Sequence, residues 1–209
     1  IVPQGWGNRG TEGKILAVKF AREKAIPYLG LCFGMQMATI EFARNVIGMR
    51  EANTTEANPK TKYPVIHIMP DQIEYLSKRQ YGGTIRLGAW PCKIKTGTIL
   101  ESLYKKYNFT DGAWNFSRGF KKGSDNLVYE RHRHRYEFNN KYEKSFINNG
   151  VVISAKSVVE NLVEIIELPK STHPFYFGTQ GHPEYKSRPL KPHPLFLEFI
   201  NACLVKSKN

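Results

Sequence analysis

Cysteine is scarce in this sequence, and its three residues, Cys32, Cys92 and Cys203, stand far apart. An odd number of widely spaced cysteines favours neither a disulfide framework nor a zinc site and is typical of a reducing compartment. The sequence also shows no basic, apolar leader and no apolar run long enough to span a bilayer. We therefore expect a cytoplasmic protein with no membrane partner and no metal.

Acidic residues are also few, since 18 Asp and Glu stand against 31 Lys and Arg and give a formal net charge of +13. A basic surplus of this kind can indicate a nucleic-acid partner. The basic residues, however, are spread along the whole chain and form no single stripe. Steering of an anionic substrate is at least as good an interpretation, and nucleic-acid binding is the most distant alternative.

An initial methionine is missing as well, and the chain opens on Ile1-Val2-Pro3, which resembles the end of a strand. With 209 residues, 41% of them hydrophobic, the chain is long enough for one sizeable core. We expect residues 1–209 to form one domain with a truncated first strand, taken from the C-terminal part of a longer protein.

Strand, glycine-rich turn, helix and strand follow one another at the start of the chain, which is typical of α/β folds. A glycine-rich turn at residues 4–10 precedes an amphipathic helix at residues 12–24, and an apolar strand at residues 26–31 precedes a helix at residues 34–46. We predict a flavodoxin-like, mostly parallel open sheet with flanking helices. Ligands bind such sheets at the carboxyl ends of the strands.

The middle of the chain is polar, and residues 49–64 predict a long loop because they show no clear period. Residues 72–80 predict a polar excursion, and the Lys-rich and Gly-rich residues 118–125 predict a mobile segment. The other predicted elements are strands at residues 65–69, 83–88, 151–155, 162–168 and 175–179, an alternating strand near residue 136, and helices at residues 99–106, 141–149 and 194–205.

The segment Gly30-Leu31-Cys32-Phe33-Gly34 joins the second predicted strand to the second predicted helix. This is the pattern of a nucleophile elbow, a sharp turn that lifts the middle side chain above the sheet edge while flanking glycines relieve crowding. Here the middle residue is Cys32. A helix N-terminus favours the reactive thiolate, so the pattern predicts a cysteine nucleophile.

A thiol nucleophile needs a base and an acceptor that orients the base. His182-Pro183-Glu184 follows the last predicted strand. On an extended segment His182 and Glu184 lie on the same side, so the carboxylate can hold one ring nitrogen while the other faces the sulfur. By itself such a histidine is more often a surface residue at a strand end; together with the elbow it predicts a Cys-His-Glu triad.

An oxyanion formed by attack of sulfur on an amide carbon needs preorganised N–H donors. The backbone N–H of Phe33 follows from the elbow itself. A second donor can come from the loop Gly5-Trp6-Gly7, which is predicted at the same sheet edge. Taken alone, such a loop is more often just a tight turn.

These residues carry a family resemblance over the whole chain. The sequence resembles the class I (triad) glutamine amidotransferases and, within them, the glutaminase domains of CTP synthases. The segments that carry the resemblance are residues 5–15, 30–36 and 182–184 for the class, and residues 82–88, 130–137 and 183–192 for the narrower group.

The resemblance implies a role for each matching position. Cys32 would form a γ-glutamyl thioester, His182 would act as general acid and base, and Glu184 would orient His182. The glutamine-binding positions that it implies are Gly5, Phe33, Gly34, Met35, Gln36, Glu56 and Arg135. Free glutamine carries an ammonium and a carboxylate, and Glu56 and Arg135 supply the two opposite charges. Without the resemblance, Glu56 would be taken for a solvated loop carboxylate.

The resemblance also implies partners and cofactors. L-glutamine would be the substrate of this domain, which needs no cofactor of its own. A synthetase domain, absent here, would use ATP and Mg²⁺ to aminate UTP to CTP. GTP is the expected allosteric activator, and the full-length enzyme is expected to be a homo-oligomer.

Three positions depart from the family pattern. Gln4 stands where the family usually has glycine, Gly181 where it usually has an aromatic residue, and Phe33 where leucine is commoner. A Cβ at Gln4 resists a positive φ, and Gly181 is expected to loosen the strand end that positions His182. The alternatives are therefore a degenerate, regulatory glutaminase-like module and a glutaminase domain serving another acceptor.

Overall fold

The computed structural model describes residues 1–69, 85–109 and 126–208. Its helices, in chain order, are α1 (Thr11–Glu23), α2 (Phe33–Asn45), α3 (Ile99–Lys106), α4 (Glu143–Asn148) and α5 (Pro194–Lys206). Its strands are β1 (Tyr28–Leu31), β2 (Ala52–Thr54), β3 (Tyr63–Ile68), β4 (Arg86–Ile94), β5 (Leu127–His134), β6 (Tyr136–Phe138), β7 (Val152–Ser157), β8 (Val163–Glu167) and β9 (Tyr176–Thr179). Within this part of the chain, every helix falls short of the length and apolarity required to cross a bilayer.

Six strands form the main sheet in the order β1-β9-β8-β7-β4-β5, and β2-β3-β6 form a small second sheet. In the main sheet only β1 and β9 pair in parallel among the described strands, and the other neighbours are antiparallel. The α/β prediction with flanking helices is confirmed. The predicted flavodoxin-like, mostly parallel sheet is instead a mixed sheet, because short connections join β7 to β8 and β8 to β9 and favour antiparallel pairing.

The helices cover the main sheet on both faces. Successive strand residues point to opposite faces, so Tyr176 enters one core and Phe177 the other. The first core also receives the apolar sides of α1, α2 and α4, for instance Val18 and Phe146. The second core receives those of α3 and α5, for instance Leu100.

Most predicted elements are confirmed within a few residues, and α3 coincides with its predicted range. The predicted loop at residues 49–64 is wrong in part, because it contains β2 and the start of β3. β2 pairs with β3 in parallel, and β3 also pairs with the distant strand β6, so a partner outside the local pattern helps to define them. The predicted polar excursion at residues 72–80 and mobile segment at residues 118–125 lie outside the described residues, as do Gly83 and Thr84 of the predicted strand at residues 83–88.

The start of the chain lies against β1. Val2 forms a parallel bridge with Gly30, its N–H donates to the Leu29 carbonyl at 3.0 Å, and its own carbonyl accepts from Leu31 N–H at 2.9 Å. A Cβ added at Gly34, in the first turn of α2, would lie 2.1 Å from the Val2 carbonyl oxygen. The chain can therefore pass this close to α2 only where α2 has a glycine.

This contact predicts that Gly34→Ala destabilises the fold. Because the added methyl group would overlap the Val2 backbone, we expect a loss of about 1–3 kcal/mol and a melting temperature lower by roughly 2–12 °C, measured by thermal unfolding. Gly13→Ala in α1 is the matched control, since its Cβ would meet nothing within 4 Å. That change should raise stability by about 0.5–1 kcal/mol. Equal melting temperatures for the two variants would contradict the packing argument.

Candidate active site

Cys32 lies at the sharp turn between β1 and α2, with φ 48° and ψ −98°. This backbone conformation is uncommon for a residue with a side chain. The flanking positions explain how the turn closes, because a Cβ at Gly30 would lie 2.7 Å from the carbonyl carbon of Gly34. Strand and helix therefore meet too closely for any larger residue at Gly30, as expected of a nucleophile elbow.

The sulfur of Cys32 is buried, and burial raises the pKa of its thiol to about 12. The backbone N–H of Phe33 lowers this pKa, whereas the charge of Glu184 raises it. The side-chain amide of Gln180, whose nitrogen lies 3.4 Å from the sulfur, lowers it, and the charge of Glu56 raises it. The N–H group at the start of α2 thus favours the thiolate, as predicted, but loss of hydration outweighs it and the net pKa of the thiol is raised.

His182 and Glu184 contact each other, with 2.7 Å between Nδ1 and Oε1. A carboxylate can only accept, so Nδ1 donates to Glu184, and in the neutral ring Nε2 is the nitrogen with the lone pair. Nε2 is buried and has no hydrogen-bond partner among the described residues. The predicted extended segment is wrong: Pro183–Tyr185 forms a short 3-10 turn, in which Tyr185 N–H donates to the His182 carbonyl at 3.1 Å.

Neighbouring groups also hold the ring and backbone of His182. Its N–H donates to the Arg131 carbonyl on β5 at 2.7 Å, and the ring of Tyr185 stacks on the imidazole at 5.0 Å between centroids. Gly181 packs against the same strand, since a Cβ there would lie 3.1 Å from the Cβ of Glu130. The expected loosening at Gly181 is therefore opposed by close packing and by a fixed backbone hydrogen bond.

The parallel pairing of β1 with β9 brings the two ends of the site together. Leu31 stands opposite Thr179 in the register, and Cys32 N–H donates to the Thr179 carbonyl at 2.7 Å. The chain that leaves β9 then passes Gln180 against the sulfur and reaches His182 two residues later. Nucleophile and base candidates thus follow the carboxyl ends of adjacent parallel strands.

Glu56 connects the predicted long loop to the glycine loop. Its Oε1 accepts the backbone N–H of Gly7 at 2.9 Å. Burial raises the pKa of Glu56, while the Gly7 N–H and the charge of Arg135 lower it. Glu56 and Arg135 thus lie close enough to affect each other, as the pairing of opposite charges requires. The Gly7 N–H points to Glu56, so it does not supply a second oxyanion donor in this state.

The remaining predicted binding positions lie around the start of α2. The side chains of Phe33 and Met35 are buried in the first core, so only their backbone groups could reach a ligand. Gln36 is also buried, and its Nε2 donates to the Tyr136 carbonyl at 2.9 Å and to Oε1 of Gln180 at 3.3 Å. Gly5 packs against the Phe33 ring, with 3.5 Å between its ideal Cβ position and Cδ1.

The sequence analysis did not predict a buried charged cluster next to these residues. Arg86 Nη1 lies 2.6 Å from Oε1 of Glu164, and within 3.5 Å of ring nitrogens of His132 and His134. The alternation Arg131-His132-Arg133-His134 in β5 was the available signal, because it places both histidines on one face of the strand.

One part of this cluster has the composition of a metal site. Donor atoms of Cys92, His132 and Glu164 lie within 4.8 Å of one another. The guanidinium of Arg86 already binds Glu164, however, and it supplies the positive charge that a cation would bring. The cluster is therefore better explained as a buried ion pair with two histidines.

Comparison with known proteins identifies relatives over almost the whole chain. The model of the family "Glutamine amidotransferase class-I" matches residues 1–202. CTP synthases of Caldanaerobacter subterraneus subsp. tengcongensis and Aquifex aeolicus are 53% and 50% identical over 204 residues, which are 98% of this chain and 34% of each relative. The chain thus spans about a third of the length of these curated relatives.

A solved structure is also similar. The glutaminase domain of Trypanosoma brucei CTPS with bound acivicin is 35% identical, with a TM-score of 0.79 over 97% of this chain and 69% of that one. Both kinds of comparison cover the elbow, the Glu56 loop and the His182 turn.

The burial of Cys32 predicts slow alkylation in the free protein. The folded state favours the neutral thiol, so the rate with iodoacetamide should keep rising from about pH 7 to beyond about pH 10 instead of levelling near the ordinary thiol value. Mass spectrometry of the peptide that contains Cys32 measures the rate. The same protein unfolded in guanidinium is the control, and there the profile should level near about pH 9. A folded profile that levels below that value would contradict the effect of burial.

Proposed function

This chain belongs to the class I glutamine amidotransferase family, and we propose that it hydrolyses L-glutamine to glutamate and ammonia with Cys32 as the nucleophile. The observation that most supports this is the convergence at the ends of β1 and β9. There, Cys32 hydrogen bonds to the last residue of β9, and the oriented pair of His182 and Glu184 follows directly. A thiol, a base with a free lone pair and an orienting carboxylate are the groups that covalent amide hydrolysis needs.

The proposed cycle begins with proton transfer. His182 Nε2 takes the Cys32 proton, and the sulfur attacks the side-chain carbonyl carbon of glutamine. The Phe33 N–H, already directed at the sulfur, is the oxyanion donor supplied by the elbow. His182 then protonates the leaving ammonia. A water that loses a proton to the same histidine releases glutamate from the thioester and restores the thiol.

Because the pKa of the Cys32 thiol is high, the thiol needs a nearby base before it can act as a nucleophile. Ionising a buried thiol without a partner is unfavourable, whereas ionising it against a protonated His182 creates a paired charge. Glu184 stabilises the resulting imidazolium through the contact at 2.7 Å. Substrate binding places the reacting carbon next to the sulfur. We therefore expect the proton to move from Cys32 to His182 only after the substrate has bound.

Recognition of free glutamine follows from Glu56 and Arg135. Because Oε1 of Glu56 accepts from Gly7, its second oxygen is the one we assign to the substrate ammonium. Arg135, which lowers the pKa of Glu56 by its charge, is assigned to the substrate carboxylate. Gly5, Gly34, Met35 and Gln36 are proposed to shape the site through their backbone or through neighbouring side chains.

The proposed context is a CTP synthase. Ammonia released here would pass to a synthetase domain outside this chain, which would use ATP and Mg²⁺ to aminate UTP. GTP as activator, a homo-oligomeric full-length enzyme and a cytoplasmic location belong to the same proposal. It is supported by identity of about 50% to CTP synthases over nearly the entire chain.

The first test is Cys32→Ala. Loss of the nucleophile should lower glutamate release by at least about a thousandfold, measured with a coupled glutamate assay. Cys203→Ala, in α5, is the matched control and should keep wild-type activity. A glutamine-analogue electrophile should label Cys32 stoichiometrically in the wild type.

Glutamate release that persists in Cys32→Ala would contradict the assignment of Cys32 as the nucleophile. Wild-type protein with neither glutamate release nor labelling would identify an inert module. In a longer protein carrying a synthetase domain, the same variant should lose glutamine-dependent CTP formation and keep ammonia-dependent formation. Loss of both in a folded protein would contradict the division of labour.

The second test separates the charge of Glu56 from its structural contact. In Glu56→Gln the amide oxygen can still accept from Gly7 N–H, but the negative charge is gone. The preference for L-glutamine over 4-carbamoylbutanoate, which lacks the α-ammonium, should therefore fall roughly 10- to 100-fold in kcat/KM. Glu51→Gln, an exposed change in the same loop, should leave that preference intact. An unchanged preference in Glu56→Gln would show that Glu56 does not bind the ammonium.

A further inference from the structure

We propose that Gln180, a residue outside the triad, donates its side-chain N–H to the sulfur of Cys32 and stabilises the thiolate, with Gln36 fixing the direction of that amide. The inference deepens the proposed function, on which it rests for the chemistry of the site. It concerns the reactivity of the thiol, however, and so it can be tested without glutamine.

The contact itself is the first observation. Nε2 of Gln180 lies 3.4 Å from Sγ of Cys32, within hydrogen-bond range for sulfur, and both residues are buried. An amide N–H that faces sulfur favours the anion over the neutral thiol, because a hydrogen bond to a charged group is stronger than one to a neutral group. With water excluded from the sulfur, this donor replaces part of the lost hydration.

The direction of the Gln180 amide is decided by a backbone carbonyl. The Tyr136 carbonyl can only accept, so the atom of Gln36 that lies 2.9 Å from it must be the nitrogen. That same nitrogen lies 3.3 Å from Gln180, which must therefore present its oxygen there. The nitrogen of Gln180 is left facing Cys32. If the Gln180 amide were reversed, its nitrogen would face the nitrogen of Gln36 and its oxygen would face the sulfur of Cys32.

The backbone on either side of this relay is also held. Gln180 N–H donates to the Glu164 carbonyl on β8 at 2.7 Å, which fixes the position of the residue. The Tyr136 carbonyl also accepts from Nδ1 of His134 at 3.1 Å. His134 in turn contacts Arg86, so the relay continues into the buried cluster around Glu164. Gln36 is therefore a positioning residue, and the cluster anchors the carbonyl that orients it.

A purely structural role for Gln180 is the competing explanation, since its buried amide would need partners in any case. The two explanations differ in what they predict for the thiol. A structural residue affects melting temperature, whereas a donor to the sulfur also affects the ease with which Cys32 ionises.

The test is alkylation of Cys32 by iodoacetamide from about pH 6 to about pH 10, followed by mass spectrometry of its peptide. Gln180→Met keeps the length of the side chain and removes the donor, and it should slow the reaction about tenfold at each pH in this range. Gln180→Glu keeps the shape of the side chain and adds a negative charge, so it should react more slowly still once the new carboxyl is ionised. Gln36→Met should slow the reaction in the same direction, because the Gln180 amide can then turn.

Asn139→Leu is the matched control. It removes a partly buried amide that donates to the Pro64 carbonyl at 2.9 Å, so it should lower stability without changing the alkylation profile.

Wild-type rates in both Gln180 variants would overturn the proposal, and a wild-type rate in Gln36→Met would overturn its orienting role. If Gln180→Met does not fold, the Gln180→Glu profile decides alone. If the wild type releases glutamate but the Gln180 variants have its alkylation profile, the inference is rejected and the proposed function stands. If the Gln180 variants have altered alkylation profiles but the wild type releases no glutamate, the inference stands and the proposed function is rejected.

Discussion

The pairing of β1 with β9 is the constraint on which the rest of the site depends. It is a parallel contact between segments about 150 residues apart in the chain, and its register sets Leu31 opposite Thr179. Cys32, Gln180 and His182 meet because of that register, since Cys32 leaves one strand where Gln180 and His182 leave the other. The antiparallel strands β8 and β7 extend the sheet from β9 and carry no part of the triad. A shift of one residue would turn Gln180 away from the sulfur, since strand residues alternate between faces.

Burial disfavours the thiolate of Cys32 in the resting site. Excluding water strengthens each hydrogen bond to a developing charge and makes an unpaired charge unfavourable, so the same burial that raises the pKa of Cys32 makes its N–H donors effective. The carboxylates of Glu184 and Glu56 add to the resting barrier, because each disfavours a thiolate. Both carboxylates, however, lose that effect when they face a cation. A protonated His182 next to Glu184 and a substrate ammonium at Glu56 would neutralise them when the thiolate is needed.

The sequence could predict the elements that local patterns define. The elbow is such an element, because its glycines and its apolar strand are contiguous, and α3 coincided with its predicted range. What failed depended on partners far away in the chain. The mostly parallel sheet was inferred from the first two strand and helix units, whereas the short connections around β8 already favoured antiparallel pairing. The role of burial at Cys32 could not be read from its neighbours, since the groups that surround the sulfur come from residues 56, 180 and 184. Gln180 was missed for the same reason.

Gly181 shows how a departure from a family pattern depends on its surroundings. Its small size suggested a loose end to β9, yet its ideal Cβ position is 3.1 Å from Glu130 and 3.5 Å from the Arg131 carbonyl. That carbonyl is also the acceptor for His182 N–H. A side chain at position 181 would press on Glu130, so glycine suits the close approach of this segment to β5. The freedom that glycine has in an unfolded chain is therefore removed here by contacts with β5, and the backbone of the base is fixed by a strand that contributes no member of the triad.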